Sequence, residues 1–305
     1  MSEAPASADR AVRAIERAVR AAEGGAAGEV VVAHPADLGV LPVEGVRAGL
    51  DRVLMGENPE AGLDALLEGG VLSVLLPEVD ALVGFGDGEF RHKDVWKHTK
   101  QVVSQAVPRL EVRWGSLLHD IGKVRTRSIT PDGEVHFFGH AEVGARMFDK
   151  MNRRIALFAT EEALREEVRF LILHHLRAAQ YDASWTDSAV RRFAKELGEH
   201  LEDLLCLSRA DITTKRPEKK RRGLRQIDEL AERIRSIREE DAKVPPLPKG
   251  LGTAVTARFG VPPSPALGAI LRGLTAAIEA GELPARQPFD VYLDFLAEHR
   301  DRFGV

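Results

Sequence analysis

Cysteine is almost absent. Cys206 stands alone, which excludes an internal disulfide framework and fits a reducing cytoplasm. It lies in the apolar run Leu204-Leu205-Cys206-Leu207, where a packed core thiol is expected rather than a nucleophile. Aromatic residues make up only 6% of the chain. No stretch approaches the ~20 apolar residues that a membrane helix needs. The start, Met1 to Arg10, is small and polar, without the apolar centre of a signal peptide. A cytoplasmic protein without a membrane partner is therefore expected. Neither sign of charge dominates: 43 Lys and Arg face 47 Asp and Glu, a net charge of -4. That excludes a bulk nucleic-acid binder and leaves room for a local basic patch. There is no internal repeat.

What is present favours helix. The 305 residues are 44% apolar, enough for a sizeable core, and Ala, Leu, Arg and Glu dominate. Such side chains lose little rotamer freedom in a helix. An all-α fold is expected: a helical bundle with an N-terminal helical arm and a C-terminal helical tail. Residues 1–42 read as an extension, disordered over 1–9 and with one short helix over 10–23, where Ala11, Ile15 and Val19 share a stripe. Residues 43–90 read as a neck-like segment, with a turn at Asn58-Pro59 between two helices. Residues 91–243 form the main helical domain, broken by a loop or hairpin at 128–139 around Pro131-Asp132-Gly133. Residues 244–305 are a Pro-rich linker (VPPLPKG, 244–250) and the tail, with helices expected over Ala266–Ala280 and Pro288–Phe303.

The chemistry-bearing residues lie in the main domain. A divalent metal site draws imidazoles and carboxylates from several helices. His98 shares a face with Val95 and Val102. His119-Asp120 follows the apolar run Trp114, Leu117, Leu118, where burying a carboxylate is costly unless it is paired or metal-bound. His140 opens the segment HAEVGARMF. His175 falls on the stripe of Val168, Leu171 and Ile172, and His174 on the neighbouring face. Asp211 follows Leu204, Leu207 and Ser208 at inward spacing. Singly, each is a core histidine or a helix cap. Together, so many inward ionisable groups call for a compensating cation.

The string Leu117-Leu118-His119-Asp120-Ile121-Gly122-Lys123 resembles the signature of the HD superfamily of metal-dependent phosphohydrolases. His98, His119-Asp120, His140, His175 and Asp211 match that family's order of His, His-Asp, His and Asp. The resemblance implies that His98, His119, Asp120 and Asp211 hold one metal. Where a second is bound, Asp120 bridges, and His140 with His174 or His175 completes the pair; the helical face favours His175. One or two divalent ions (Mn, Ni, Co, Fe or Mg) are implied as cofactors.

The segments DVWKHT (94–99), RWGSLLHDIGKVRTR (113–127), GHAEVGA (139–145) and SRADITT (208–214) resemble the HD region of bacterial tRNA nucleotidyltransferases, the CCA-adding enzymes. Similarity runs over roughly residues 43–285. The polymerase head of those enzymes carries a Gly-Ser motif and a paired-Asp motif, and residues 1–42 contain neither. Nucleotide addition is therefore not expected of this chain alone.

The resemblance implies a phosphatase or 2′,3′-cyclic phosphodiesterase acting on nucleotides or RNA ends. Asp120 and Lys123 are the catalytic candidates. Lys123 reads either as a donor to a phosphate oxygen or as a solvated lysine, and Arg125, Arg127 and Arg177 are weaker substrate-binding candidates. The run Lys215 to Arg222 reads either as a solvated helix face or as an RNA phosphate contact. Two other readings remain: a non-catalytic RNA-binding body, and a hydrolase of a signalling nucleotide.

Overall fold

The computed structural model describes residues 4–85, 94–242 and 245–305. The domain edges expected at 90/91 and 243/244 fall outside the described residues. Among those residues the fold is all-α, apart from one two-stranded antiparallel sheet that pairs Ser128 with His136 and Ile129 with Val135. The chain divides into two compact units, Met1–Arg235 and Ser236–Val305.

The N-terminal helix is longer than expected. It spans Ala4–Ala22, so the disordered lead foreseen over residues 1–9 is corrected from Ala4 onward. A proline in a first helical turn is tolerated, because its missing N–H would have no intrahelical partner, and Arg13 reaches back to Asp9 at 3.1 Å. Ala11, Ala14, Ala18, Val19 and Ala22 are fully buried against the helices Val43–Met55 and Pro59–Glu68. Glycines permit the approach. A Cβ on Gly49 would lie 2.3 Å from Ile15 Cγ2, and one on Gly62 would lie 2.7 Å from Ala22 Cβ. Buried Arg17 secures the contact by donating to Ala65 O and Glu68 Oε2, at 3.2 and 2.6 Å.

The helix Pro59–Glu68 starts where Asn58-Pro59 predicted it. The Asn58 side chain accepts from the Ala61 N–H and Pro59 takes the first position. Its neighbour Val43–Met55 carries Asp51, whose Oδ1 accepts from the fully buried Trp114 indole at 2.7 Å. That bond ties the Leu110–Leu118 helix to the neck-like segment.

Five helices bring the expected site together: Val95–Gln105, Leu110–Leu118, His140–Ile155, Glu162–His174 and Leu201–Ala210. The hairpin at 128–136 turns through Pro131-Asp132-Gly133, with Gly133 at φ 83°.

The unit Ser236–Val305 has its own core of Leu251, Val255, Ile270, Leu274, Tyr292, Leu293 and Leu296. Besides Pro265–Glu279 and Phe289–Glu298 it contains a helix, Leu251–Phe259, that the sequence reading left out. The prolines of 244–250 and Gly260 frame a segment of only nine residues. So short an element shows little periodicity, and packing of Leu251 and Val255 settles it.

Candidate metal centre

Most of the candidate residues sit at helix ends, and the sequence sets them there. Asp94 caps Val95–Gln105 by accepting from the Lys97 N–H at 3.2 Å, which places His98 in the first turn. Leu110–Leu118 stops at His119, so His119 and Asp120 occupy the turn beyond it. His140 opens its helix after Gly139, whose φ of 72° is left-handed. His175 and Asp211 each stand one residue past a helix end.

Three of the rings use the same anchor. His119 Nδ1 donates to Ser116 O, His140 Nδ1 to Phe137 O and His175 Nδ1 to Ile172 O, each at 2.8 Å and each three residues back. His98 Nδ1 pairs with Thr213 Oγ1, also at 2.8 Å. A carbonyl at Nδ1 holds the proton there and leaves Nε2 to face the centre.

All four Nε2 atoms converge on one carboxylate. Asp120 is 1% exposed. Its Oδ2 lies 3.2 Å from His119 Nε2 and 3.4 Å from His98 Nε2. Its Oδ1 lies 3.4 Å from His140 Nε2 and 4.0 Å from His175 Nε2. Asp211 Oδ1 closes the first half, 3.0 Å from His98 Nε2 and 3.7 Å from His119 Nε2. Two groups that could hold a metal therefore share Asp120: His98 with His119, and His140 with His175.

The two halves differ in charge. Burial opposes a proton on His98, but hydrogen bonds to Asp120 and Asp211 outweigh it and raise the ring to about 9. Burial likewise works to raise Asp211, and its bond to His98 holds the carboxyl at about 2. Asp120 is held well below the usual carboxylate range; burial is outweighed by His119, His98 and Lys123. In the second half burial dominates. It lowers His140, and it lowers His175 to about 4.

These rings fit a cation. His140 Nε2 and His175 Nε2 are 3.1 Å apart, while each Nδ1 already donates to a carbonyl. In neutral rings that arrangement aims two lone pairs at one another, and a metal ion between them would accept both. The edges of 3.0–3.4 Å between donor atoms match the spacing of neighbouring ligands on an ion whose bonds are about 2.1 Å long.

His174 is half-buried with its ring 4.3 Å from that of Phe170, outside both groups. Lys123 Nζ donates to Asp120 Oδ2 at 2.6 Å and lies 5.6 Å from the Phe137 ring centre, so it is not a solvated lysine. Arg125 is exposed, and Arg127 lies over Phe85. Arg177 is ion-paired with Glu196 at 2.5 Å and lies over Phe193. Over 215–222 every residue but half-buried Lys220 is exposed; Lys220 reaches Gln105 Oε1 at 2.8 Å and Arg221 pairs with Glu218.

Two supporting residues escaped the sequence reading. Thr213 orients His98 from two residues beyond Asp211. Gly122 lets the His-Asp turn press on the next helix, because a Cβ there would lie 2.0 Å from His140 O and 2.7 Å from Gly144 N. For His119 and His175 the i−3 carbonyl follows from the helix end, and that spacing is the signal that could have found it; Phe137 O lies in the loop before the helix that His140 opens.

Residues 95–216 match the HD domain family. The matched stretch covers about two fifths of the chain. It contains every residue of the cluster just described. The chain is 32% identical over 262 residues to an A-adding tRNA nucleotidyltransferase of Deinococcus radiodurans, covering 84% of this chain and 58% of that protein. It is 31% identical over 272 residues to a CC-adding tRNA nucleotidyltransferase of Thermus thermophilus, covering 86% of this chain and 58% of the relative. A multifunctional CCA protein of Pseudomonas fluorescens is 36% identical over 111 residues, 34% of this chain and 26% of that protein. The chain thus spans little more than half the length of the first two relatives. Among the described residues no helix is long and apolar enough to cross a membrane.

Proposed function

We propose that this chain is a metal-dependent phosphohydrolase of nucleotide or RNA-end phosphate esters, a 2′,3′-cyclic phosphodiesterase, a phosphomonoesterase or both. One observation carries the reading: four imidazole Nε2 atoms converge on the two oxygens of buried Asp120. His98, His119, Asp120 and Asp211 would hold one divalent ion; Asp120, His140 and His175 would hold a second. Ions held there supply Lewis-acid chemistry, neutralising charge on phosphate oxygens and easing deprotonation of water.

The chain's own residues do the rest. The backbone carbonyls of Ser116, Phe137 and Ile172 fix the rings, so little reorganisation accompanies binding. Lys123 is one turn of chain from Asp120 and already bonded to it. Its ammonium is within reach of an anion at the same carboxylate edge, where it donates to a phosphate oxygen. Arg125 is exposed beside this turn and adds positive charge for an anionic substrate.

A second reading, an RNA-holding body, is favoured by the relatives' names and by the exposed run from Lys215 to Arg222. It is compatible with the first, because an RNA end is itself a phosphate ester.

The test is to measure bound metal in the purified protein. Turnover of bis-p-nitrophenyl phosphate, 2′,3′-cyclic nucleotides and 2′- or 3′-monophosphates is then assayed with Mn, Co, Ni, Fe or Mg. Metal-stimulated hydrolysis that falls at least a hundredfold in His119→Ala and Asp120→Ala is the expected result. No turnover of any ester, or variants as active as the wild type, would refute the hydrolase reading.

A further inference from the structure

Between the His-Asp turn and His140 the chain makes an excursion over residues 128–138. It is a sheet of two residues per strand, with Ser128 and Ile129 exposed and Val135 and His136 half-buried. So small a hairpin is at best marginally stable alone, and it contributes little to the core. Yet it carries the two most exposed large apolar side chains among the described residues, Phe138 at 78% and Ile129 at 60%. A single exposed apolar residue needs no explanation. Phe138 differs in two respects.

First, its ring is stacked on that of His136, with centroids 4.9 Å apart and planes 11° from parallel. The stack supports one face of the phenyl ring while Phe138 stays mostly open. Second, the base of the excursion is fastened to the metal centre. Phe137 O accepts from His140 Nδ1 at 2.8 Å, and the Phe137 ring lies 5.6 Å from Lys123 Nζ. Phe138 is therefore two residues from His140, at most about 7 Å along the backbone. His140 in turn brings its Nε2 to 3.4 Å from Asp120 Oδ1, so the exposed ring and the centre are carried by one short stretch of chain.

We infer that Phe138, backed by His136, is a stacking platform for the base of a nucleotidyl phosphate whose ester lies at Asp120 and Lys123. The inference rests on the phosphohydrolase reading for the ester's position and deepens it by naming the side chain that holds the base. Stacking reads the face that every base shares, so the platform selects for a base without selecting which one. The shared chemistry belongs equally to a free nucleotide and to the last nucleotide of an RNA.

Binding, rather than turnover, tests it. The probe is 2-aminopurine riboside 3′-monophosphate, whose fluorescence is quenched on stacking. It is titrated into the full chain and into Phe138→Ala and Phe138→Trp. A matched oligoribonucleotide carries 2-aminopurine 3′-phosphate at its end, and ribose phosphate without a base competes in a parallel titration. Quenching by the wild type, affinity lowered about tenfold or more in Phe138→Ala and retained in Phe138→Trp, supports the platform. Quenching of the mononucleotide alone assigns it to free nucleotides; quenching of the oligonucleotide assigns it to RNA ends. Equal affinity in Phe138→Ala and the wild type, no quenching in the wild type, or equal affinity for the base-free competitor overturns it. Failure of the hydrolase reading looks different: the probe is quenched and Phe138-dependent, while no ester is turned over.

Discussion

At the scale of the residue, the two adjacent histidines show what a one-residue step does at a helix end. His174 is the last residue of its helix and turns to Phe170; His175 is 3% exposed and turns to His140 and Asp120. Helical spacing from Val168, Leu171 and Ile172 already favoured His175. Two substitutions separate their roles. His175→Ala is expected to lower affinity at the half-site it shares with His140 by more than the ten- to hundredfold that loss of an outer partner costs. His174→Ala is expected to retain full metal content. Metal stoichiometry by mass spectrometry and titration calorimetry reads both, and equal loss in the two variants would contradict the assignment. The partners of the rings were less legible. Three are backbone carbonyls, which carry no residue identity, and Thr213 becomes a partner only when the end of Leu201–Ala210 is folded against Val95–Gln105.

At the scale of the element, composition and turn residues gave the helices and their breaks, but not how the first one is used. The stripe of Ala11, Ile15 and Val19 marks an apolar face on it but not what covers that face. Gly49, Gly56 and Gly62 line the covering surface, because each faces the N-terminal helix at a distance where a Cβ would clash. They lie far from that stripe in sequence, so no spacing links the two. The helix is also fastened by charge. Arg10 Nε donates to Asp37 Oδ2 at 2.8 Å, and Asp37 also accepts from the His34 N–H at 3.0 Å. The Arg10 bond, with that backbone bond, holds the Asp37 carboxyl at about 2, below its ordinary 3.8. A carboxyl lowered by folding adds stability above its unfolded value, and that addition is lost as pH falls through the folded value. The urea midpoint of the wild type should therefore exceed that of Asp37→Asn near pH 7. The gap should narrow between about pH 4 and pH 2. A gap that persists unchanged at pH 2 would show that the ionised pair is not its origin.

At the scale of the whole molecule, the balance of charge conceals a local excess. The net charge is -4, yet six of the eight residues from Lys215 to Arg222 are basic, and they begin four residues after Asp211. The fold places this run in the loop before Pro217–Ala242 and along its first turns, with Lys215, Arg216, Lys219 and Arg222 exposed. Part of it is internally committed, since Arg221 pairs with Glu218 and Lys220 with Gln105. A solvated helix face and a phosphate-binding face look alike in sequence and in structure, because both keep their charges in water. Salt distinguishes them. Each phosphate neutralised by a Lys or Arg releases counterions and steepens the fall of log K with log salt by about 0.7 to 0.9. If the run contacts RNA, replacing Lys215, Lys219 and Arg222 by Ala should weaken tRNA binding in a gel shift and flatten that slope by about 2. The metal centre is untouched by these changes, so bound metal should remain at wild-type level. An unchanged slope with unchanged affinity would assign the run to solvent, and the HD centre would then have to recognise its substrate without it.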